Sequence, residues 1–171
     1  MYCRPWKPTD QHLKIINMNI ENLKIKIQNI VEKATELKNQ YIDDKNTPVN
    51  YACIFSQSQE EYNELVETTR HMGNVVKETA TGLLFQIKPL KTISGALQLL
   101  KIRLPDSTRP ELGDADFTVS HFLEFEKKYL SRSGFKLIKR ENFVMIELID
   151  SQFDVRVYFS HPPLDIQLNI N

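Results

Sequence analysis

Two periods of apolar residues follow one another along this chain. From Leu13 the apolar positions Ile16, Ile20, Leu23, Ile27, Ile30, Ala34 and Leu37 step by three and four. That spacing aligns them on one side of a helix, as a seam with a period close to 3.5. Glu21, Lys24, Lys26, Glu32 and Lys33 keep the other side polar, and Ile15 and Ile25 widen the stripe. Thr9 or Asp10 is placed to cap this helix. A wide stripe fits a helix docked on a core. A helix that pairs with a second copy would use the same seam, so a homodimer through it stays open. Met1 to Thr9 carries Pro5 and Pro8 and reads as an extended arm anchored by Trp6. The polar run from Asn39 to Pro48 reads as a linker.

Beyond Pro48 the period drops to two. Val49 to Phe55 reads as a strand, followed by a helix from Gln59 to Met72 that Ser56 to Ser58 cap and Gly73 ends. Strands follow at Val75 to Thr79, Leu83 to Lys88 and Ala96 to Leu104, with a turn at Thr81-Gly82 and a loop from Pro89 to Gly95. After a connection from Asp106 to Leu112 the order recurs. Gly113 leads into a strand from Asp114 to Val119 in which Ala115, Phe117 and Val119 alternate with polar residues. Ser120 caps a helix reaching Ser133, which Gly134 ends, and strands follow at Phe135 to Arg140, Phe143 to Ile149 and Phe153 to Phe159. The tail from Leu164 to Asn171 has the length of one more edge strand.

A repeat of this length signals a repeated supersecondary unit. The fold class is therefore α+β: tandem βαβββ units forming a curved, mainly antiparallel sheet around a central cleft, preceded by a long N-terminal helix. The expected divisions are an arm and helix over 1–40, a first unit over 49–105 and a second over 113–160, with 49–171 as one domain.

Composition narrows the function classes. The chain has 171 residues, 41% hydrophobic and 26% charged, an ordinary globular mixture. Its 22 Lys plus Arg balance 22 Asp plus Glu, so a general nucleic-acid binder is not expected. No apolar run has the length of a membrane span, and Met1 to Asp10 has no apolar core of a secretory signal. A cytoplasmic protein is expected, with Cys3 and Cys53 as free thiols and Cys53 as a small core residue. There is no G-x-S-x-G, no glycine-rich phosphate loop and no C-x-x-C.

Alternation also yields candidate site residues. On the sheet face away from the helices it puts Asn50, Ala52 and Ile54, then Leu99, Lys101 and Arg103, then Asp114, Asp116 and Thr118, then Arg156, Tyr158 and Ser160. Asn50, Lys101, Arg103, Asp114, Asp116, Arg156 and Tyr158 would line a groove for a small polar or anionic molecule, with the forked donors of Arg103 suited to a carboxylate or phosphate. The alternative is that Arg103, Asp114, Asp116 and Arg156 satisfy one another as ion pairs across the unit interface. His12, His71, His121 and His161 lack metal-site spacing and read as capping or surface residues.

The tandem layout from Val49 to Phe159 resembles the vicinal oxygen chelate superfamily, the fold of glyoxalase I and the extradiol dioxygenases. Within it, His71-Met72-Gly73-Asn74-Val75-Val76-Lys77-Glu78, the strand from Leu83 to Pro89 and Ile102-Arg103-Leu104-Pro105 resemble the YecM-type proteins, which also carry a helical segment before the first unit. Metal-using members hold a divalent ion between the units, on ligands from the first and fourth strands. At those places this chain has Asn50 and Asp114 where the YecM-type proteins have His, and Arg103 where they have Glu.

The resemblance thus implies the fold with its metal ligands replaced. No cofactor is then expected, and the reading is a protein that binds a small polar or anionic ligand between its units. A metal-dependent lyase, isomerase or dioxygenase would need an atypical set such as Asp114, Glu147 and His161 around a divalent metal. An interaction protein that dimerises through the N-terminal helix is the third reading.

Overall fold

A computed structural model describes residues 18–170. The arm with Trp6, the residues Cys3 and His12, and the seam positions Leu13, Ile15 and Ile16 lie outside the described residues. Helix α1 spans Ile20–Tyr41, and its N-cap is Asn19 rather than Thr9 or Asp10. The Asn19 side chain accepts the Asn22 N–H at 2.8 Å, which satisfies one of the unpaired donors of the first turn. The helix also runs through Asn39 and Tyr41, so only 42–48 remain as the connection.

The sheet strands are β1 (Val49–Phe55), β2 (Gly73–Thr79), β3 (Gly82–Thr92), β4 (Gly95–Arg103), β5 (Gly113–Phe117), β6 (Phe135–Lys139), β7 (Val144–Leu148) and β8 (Val155–His161). Helices α2 (Gln59–Arg70) and α3 (Phe122–Tyr129) follow β1 and β5, and a helical turn α4 (Leu164–Gln167) closes the described chain. The strands form one open sheet in the order β2-β3-β4-β1-β5-β8-β7-β6. Each half runs β-α-β-β-β, and the order is a palindrome of the two halves. β1 lies parallel to β4 and β5 parallel to β8; every other neighbouring pair is antiparallel. The two halves meet in the antiparallel β1–β5 ladder.

That seam needs a close approach. A Cβ on Gly113 would stand 2.1 Å from the Cys53 carbonyl oxygen, so the residue opening β5 has no room for a side chain. One face of the seam is roofed by α1. Leu23, Ile27, Ile30, Val31, Ala34 and Leu37 are buried on it, in one core with Ala52 and Ile54 of β1, Ala115 and Phe117 of β5, and Val155, Val157 and Phe159 of β8. Leu65 of α2, and Phe122, Phe125 and Tyr129 of α3, extend the core to either side. The apolar seam of α1 is thus taken up by the chain itself, while Ile25 is 62% exposed. No helix among the described residues is long and apolar enough to cross a membrane.

Several boundaries differ from the sequence reading, each for a local reason. Gly73 is the first residue of β2, not the end of α2, which stops at Arg70. α3 ends at Tyr129, well before Gly134, and its N-cap is His121, with no side-chain bond, instead of Ser120. β3 continues past Pro89 to Thr92, because the ladder slips between Gln86 and Leu90, where the missing N–H of proline is tolerated. The tail forms α4 instead of an edge strand. Pro162 and Pro163 have no N–H to give to a ladder, and Pro163 stands at the N-cap.

Candidate functional site

With α1, α2 and α3 packed on one face, the other face of the sheet is lined by polar groups. Register decides which of them meet. Leu84, Lys101, Cys53, Asp114 and Arg156 are successive cross-strand partners across β3, β4, β1, β5 and β8. Tyr51, Asp116, Tyr158 and Glu147 form the next such row across β1, β5, β8 and β7. Side chains in such rows are near neighbours.

At the β8–α4 end lies a cleft of about 220 Å³. Leu84, Phe143, Met145 and Leu164 give it an apolar wall; Tyr51, Lys77, Thr79, Lys101, Asp116, Ser160 and Gln167 supply its polar groups. α4 is held across it by the Asp165 N–H donating to the Asn50 side chain at 3.3 Å and by Gln167 Nε2 donating to the Pro162 carbonyl at 2.7 Å. Lys101 is half-buried. Its Nζ donates to Thr81 Oγ1 at 2.6 Å, and among the described residues neither Lys101 nor Lys77 is paired with a carboxylate. Burial lowers the Lys101 ammonium below the ordinary lysine range, and nearby Arg103 adds to this against Cys53 and Asp114. Asp116 is buried and accepts both the N–H and the hydroxyl of Ser160. Burial lifts its carboxyl to about 6 against the pull of those two bonds. The Tyr51 hydroxyl is pushed well up by burial.

Toward the other end a second cluster closes the face. Arg156 Nε donates to Glu111 at 2.8 Å and its Nη1 to Glu147 at 3.4 Å. The Tyr158 hydroxyl donates to Glu147 and accepts from Arg109 Nη1, the latter at 3.3 Å. Arg103 reaches Asp106 at 3.1 Å. Arg103 and Arg109 lie over the Phe55 ring at 5.9 and 5.5 Å. The connection between the halves, carrying Asp106, Arg109 and Glu111, is thereby folded over this end. Asp114 lies in the same rows with Oδ1 buried and without a hydrogen-bond partner among the described residues. Burial, then the Asp116 charge, raises its carboxyl to about 7 despite Arg109, Lys101 and Arg103. The Cys53 thiol is free, buried and pushed up by burial, so it is a poor nucleophile.

The expected site is therefore split. Lys101 and Asp116 line the cleft. Arg103, Arg156 and Tyr158 belong to the second cluster, and Asp114 is buried beside it. Asn50 does not look into the cleft: it sits at the rim, bonded to the backbone of α4. On β1 the face is reversed, for Ala52 and Ile54 point into the helix-side core while Tyr51 lines the cleft. Four consecutive residues, Ala52 to Phe55, are buried on this central strand, so alternation gives parity without saying which face is which. Arg103, Asp114, Asp116 and Arg156 do not pair with one another; the two arginines take Asp106, Glu111 and Glu147. Glu111 and Arg109 escaped the sequence reading because they stand on an irregular segment. Lys77 escaped it on an edge strand whose ladder slips between Val75 and Lys77.

The residues do not fit a metal centre. Among the described residues no group of three or more His, Cys, Asp or Glu side chains could hold an ion. The atypical set of Asp114, Glu147 and His161 is not assembled. Asp114 and Glu147 are on the cleft side, whereas His161 stacks on Phe122 of α3 at 5.0 Å. Lys101, Arg103 and Arg109 put positive charge beside Asp114, where a cation would have to sit.

No family model matches the chain, and no curated protein matches it. Among solved structures, one described as "Structural Genomics, Protein EC4020" superposes with a TM-score of 0.68 at 9% identity, over 91% of this chain and 98% of that chain. At that identity the likeness shows a shared fold and nothing about activity. Glyoxalase I from Zea mays superposes with a TM-score of 0.40 at 14% identity, over 67% of this chain and 42% of that chain, a likeness too weak to show a shared fold.

Proposed function

We propose that this chain is a vicinal oxygen chelate-type, YecM-like protein that binds a small organic anion in the cleft beside α4, without a metal. The observation that carries the reading is the pair of amines. Lys77 and Lys101 line one cleft of about 220 Å³, free of carboxylate partners among the described residues, against a wall of Leu84, Phe143, Met145 and Leu164. A partly buried ammonium with no carboxylate in ion-pair contact favours an anionic ligand, because the ligand then supplies that contact in a site of reduced dielectric. The apolar wall selects an organic body over inorganic phosphate. The paired βαβββ halves support the superfamily; the arginines beside Asp114 support the loss of its metal.

Titration calorimetry with 4-methylpentanoate, its neutral amide and the matching amine tests this. The carboxylate is expected to bind at least tenfold more tightly than the other two. Lys101→Met and Lys77→Met, checked for folding by circular dichroism, should each weaken it about tenfold, the loss expected for one charge-assisted contact. Equal affinity for carboxylate and amide would overturn the reading, as would stoichiometric uptake of a divalent metal that the carboxylate requires.

A further inference from the structure

Lys77 and Lys101 line the same cleft, but their settings differ. Lys77 is exposed on β2, an edge strand. Lys101 stands on β4 between β3 and β1, half-buried on the cleft floor. Its neighbours along the face are Leu84 on one side and Cys53 on the other. Among the described residues the side-chain hydrogen bond of its nitrogen is to Thr81 Oγ1, and a hydroxyl can accept from an ammonium or donate to a free amine equally well. Nothing in that bond requires the charged form. Burial, the largest influence, favours the neutral amine, as does Arg103, two residues on along the same face, while Cys53 and Asp114 act against it. A desolvated lysine beside another cation is the arrangement that activates an amine toward carbonyl carbon.

We propose that Lys101, which as an ammonium helps to draw the anion in, reacts in its neutral form as an amine nucleophile that forms an imine with an oxo acid, the carboxylate then being held by Lys77. This rests on the anion-binding reading and names its ligand class. The Lys101 nitrogen lone pair forms the N–C bond as the carbonyl π bond breaks. One amine proton passes to the carbonyl oxygen to give a carbinolamine. The C–O bond then breaks, and the oxygen leaves as water with the second amine proton, leaving C=N. One water is released and nothing is oxidised or reduced. The Thr81 hydroxyl, at 2.6 Å, is in place to relay the amine proton. The ionisable groups Tyr51 and Asp116 line the same cleft. Leu84, Phe143, Met145 and Leu164 favour an apolar chain on the acid and limit access of water to the imine.

The test incubates the full-length protein with 4-methyl-2-oxopentanoate and cyanoborohydride, followed by peptide mass mapping. The expected result is one reduced adduct per chain on Lys101, at least tenfold above any other lysine. Lys101→Arg should lose it, and Lys139→Arg, a change at an exposed position of edge strand β6, should keep it. Should Lys101→Arg fail to fold, the map of the unmodified chain decides by itself. An adduct spread evenly over lysines, or none on Lys101, overturns the inference. Calorimetry with the 2-hydroxy acid of the same skeleton, which has no carbonyl, separates the two claims. If it binds while no adduct forms, the imine falls and anion binding stands. If it does not bind either, both fall.

Discussion

Two buried ionisable side chains oppose each other in how their effect on stability depends on pH. Asp114 is 6% exposed, and its carboxyl is raised to about 7. A raised acid adds stability that is complete below its unfolded value near 4 and lost as pH climbs through the folded value. Asp114→Asn should therefore remove much of the decline between about pH 4 and pH 7, and at pH 8 should stabilise the chain by about 2 kcal/mol in urea titrations. Lys38 behaves in the opposite sense. It is 1% exposed on α1, bonded to Asn39 Oδ1 at 2.7 Å and set over the Phe117 ring at 5.4 Å. Burial first, then Lys45, pulls its ammonium down to about 8. A lowered lysine adds stability above its ordinary range near 10.4 that is lost as pH falls through about 8. At neutral pH Lys38→Met should thus stabilise the chain by about 1–2 kcal/mol, provided the thioether fills the same space. Neither effect could be read from the letters. A lysine at position 38, next to the stripe residue Leu37, looks like any solvated helix lysine until Phe117 is brought beneath it.

Elements were legible wherever a breaker and a change of period coincide. Pro48 and the alternation after it give β1 its limits, and Ser58 caps α2 as its hydroxyl suggests, accepting the Glu61 N–H at 3.1 Å. Glycine is not the helix stop at positions 73 and 134, since α2 and α3 end earlier, at Arg70 and Tyr129. At position 113 glycine has a different duty, set by the neighbouring strand. Gly113→Ala would drive a methyl group into the Cys53 carbonyl across the seam. It should cost about 2–4 kcal/mol, the range of a strained core substitution, and lower the melting temperature, whereas the same change at exposed Gly95 meets nothing nearer than 3.9 Å and is opposed only by its φ of +109°. α4 was not legible at all. A four-residue turn has no period, and its position over the cleft is fixed by Asn50, 115 residues earlier in the chain.

At the scale of the molecule, repetition of β-α-β-β-β was enough to give the sheet and its cleft, because each half must bury one face and the halves can share one core. What repetition could not give was the asymmetry of the cleft. One end is open beside α4 and bears the two amines; the other is shut by the connection between halves, whose Arg109 and Glu111 lie on no strand or helix. The palindromic order has a further consequence for synthesis on the ribosome. Until β5 emerges, β1 is the unpaired edge of a four-stranded sheet, and the stripe of α1 that later rests on β5 and β8 has nothing beneath part of it. Two nascent chains at that stage offer each other complementary antiparallel edges. A truncated product ending near Arg103 should accordingly self-associate through β1, mimicking with a second copy the ladder that the finished chain makes with itself.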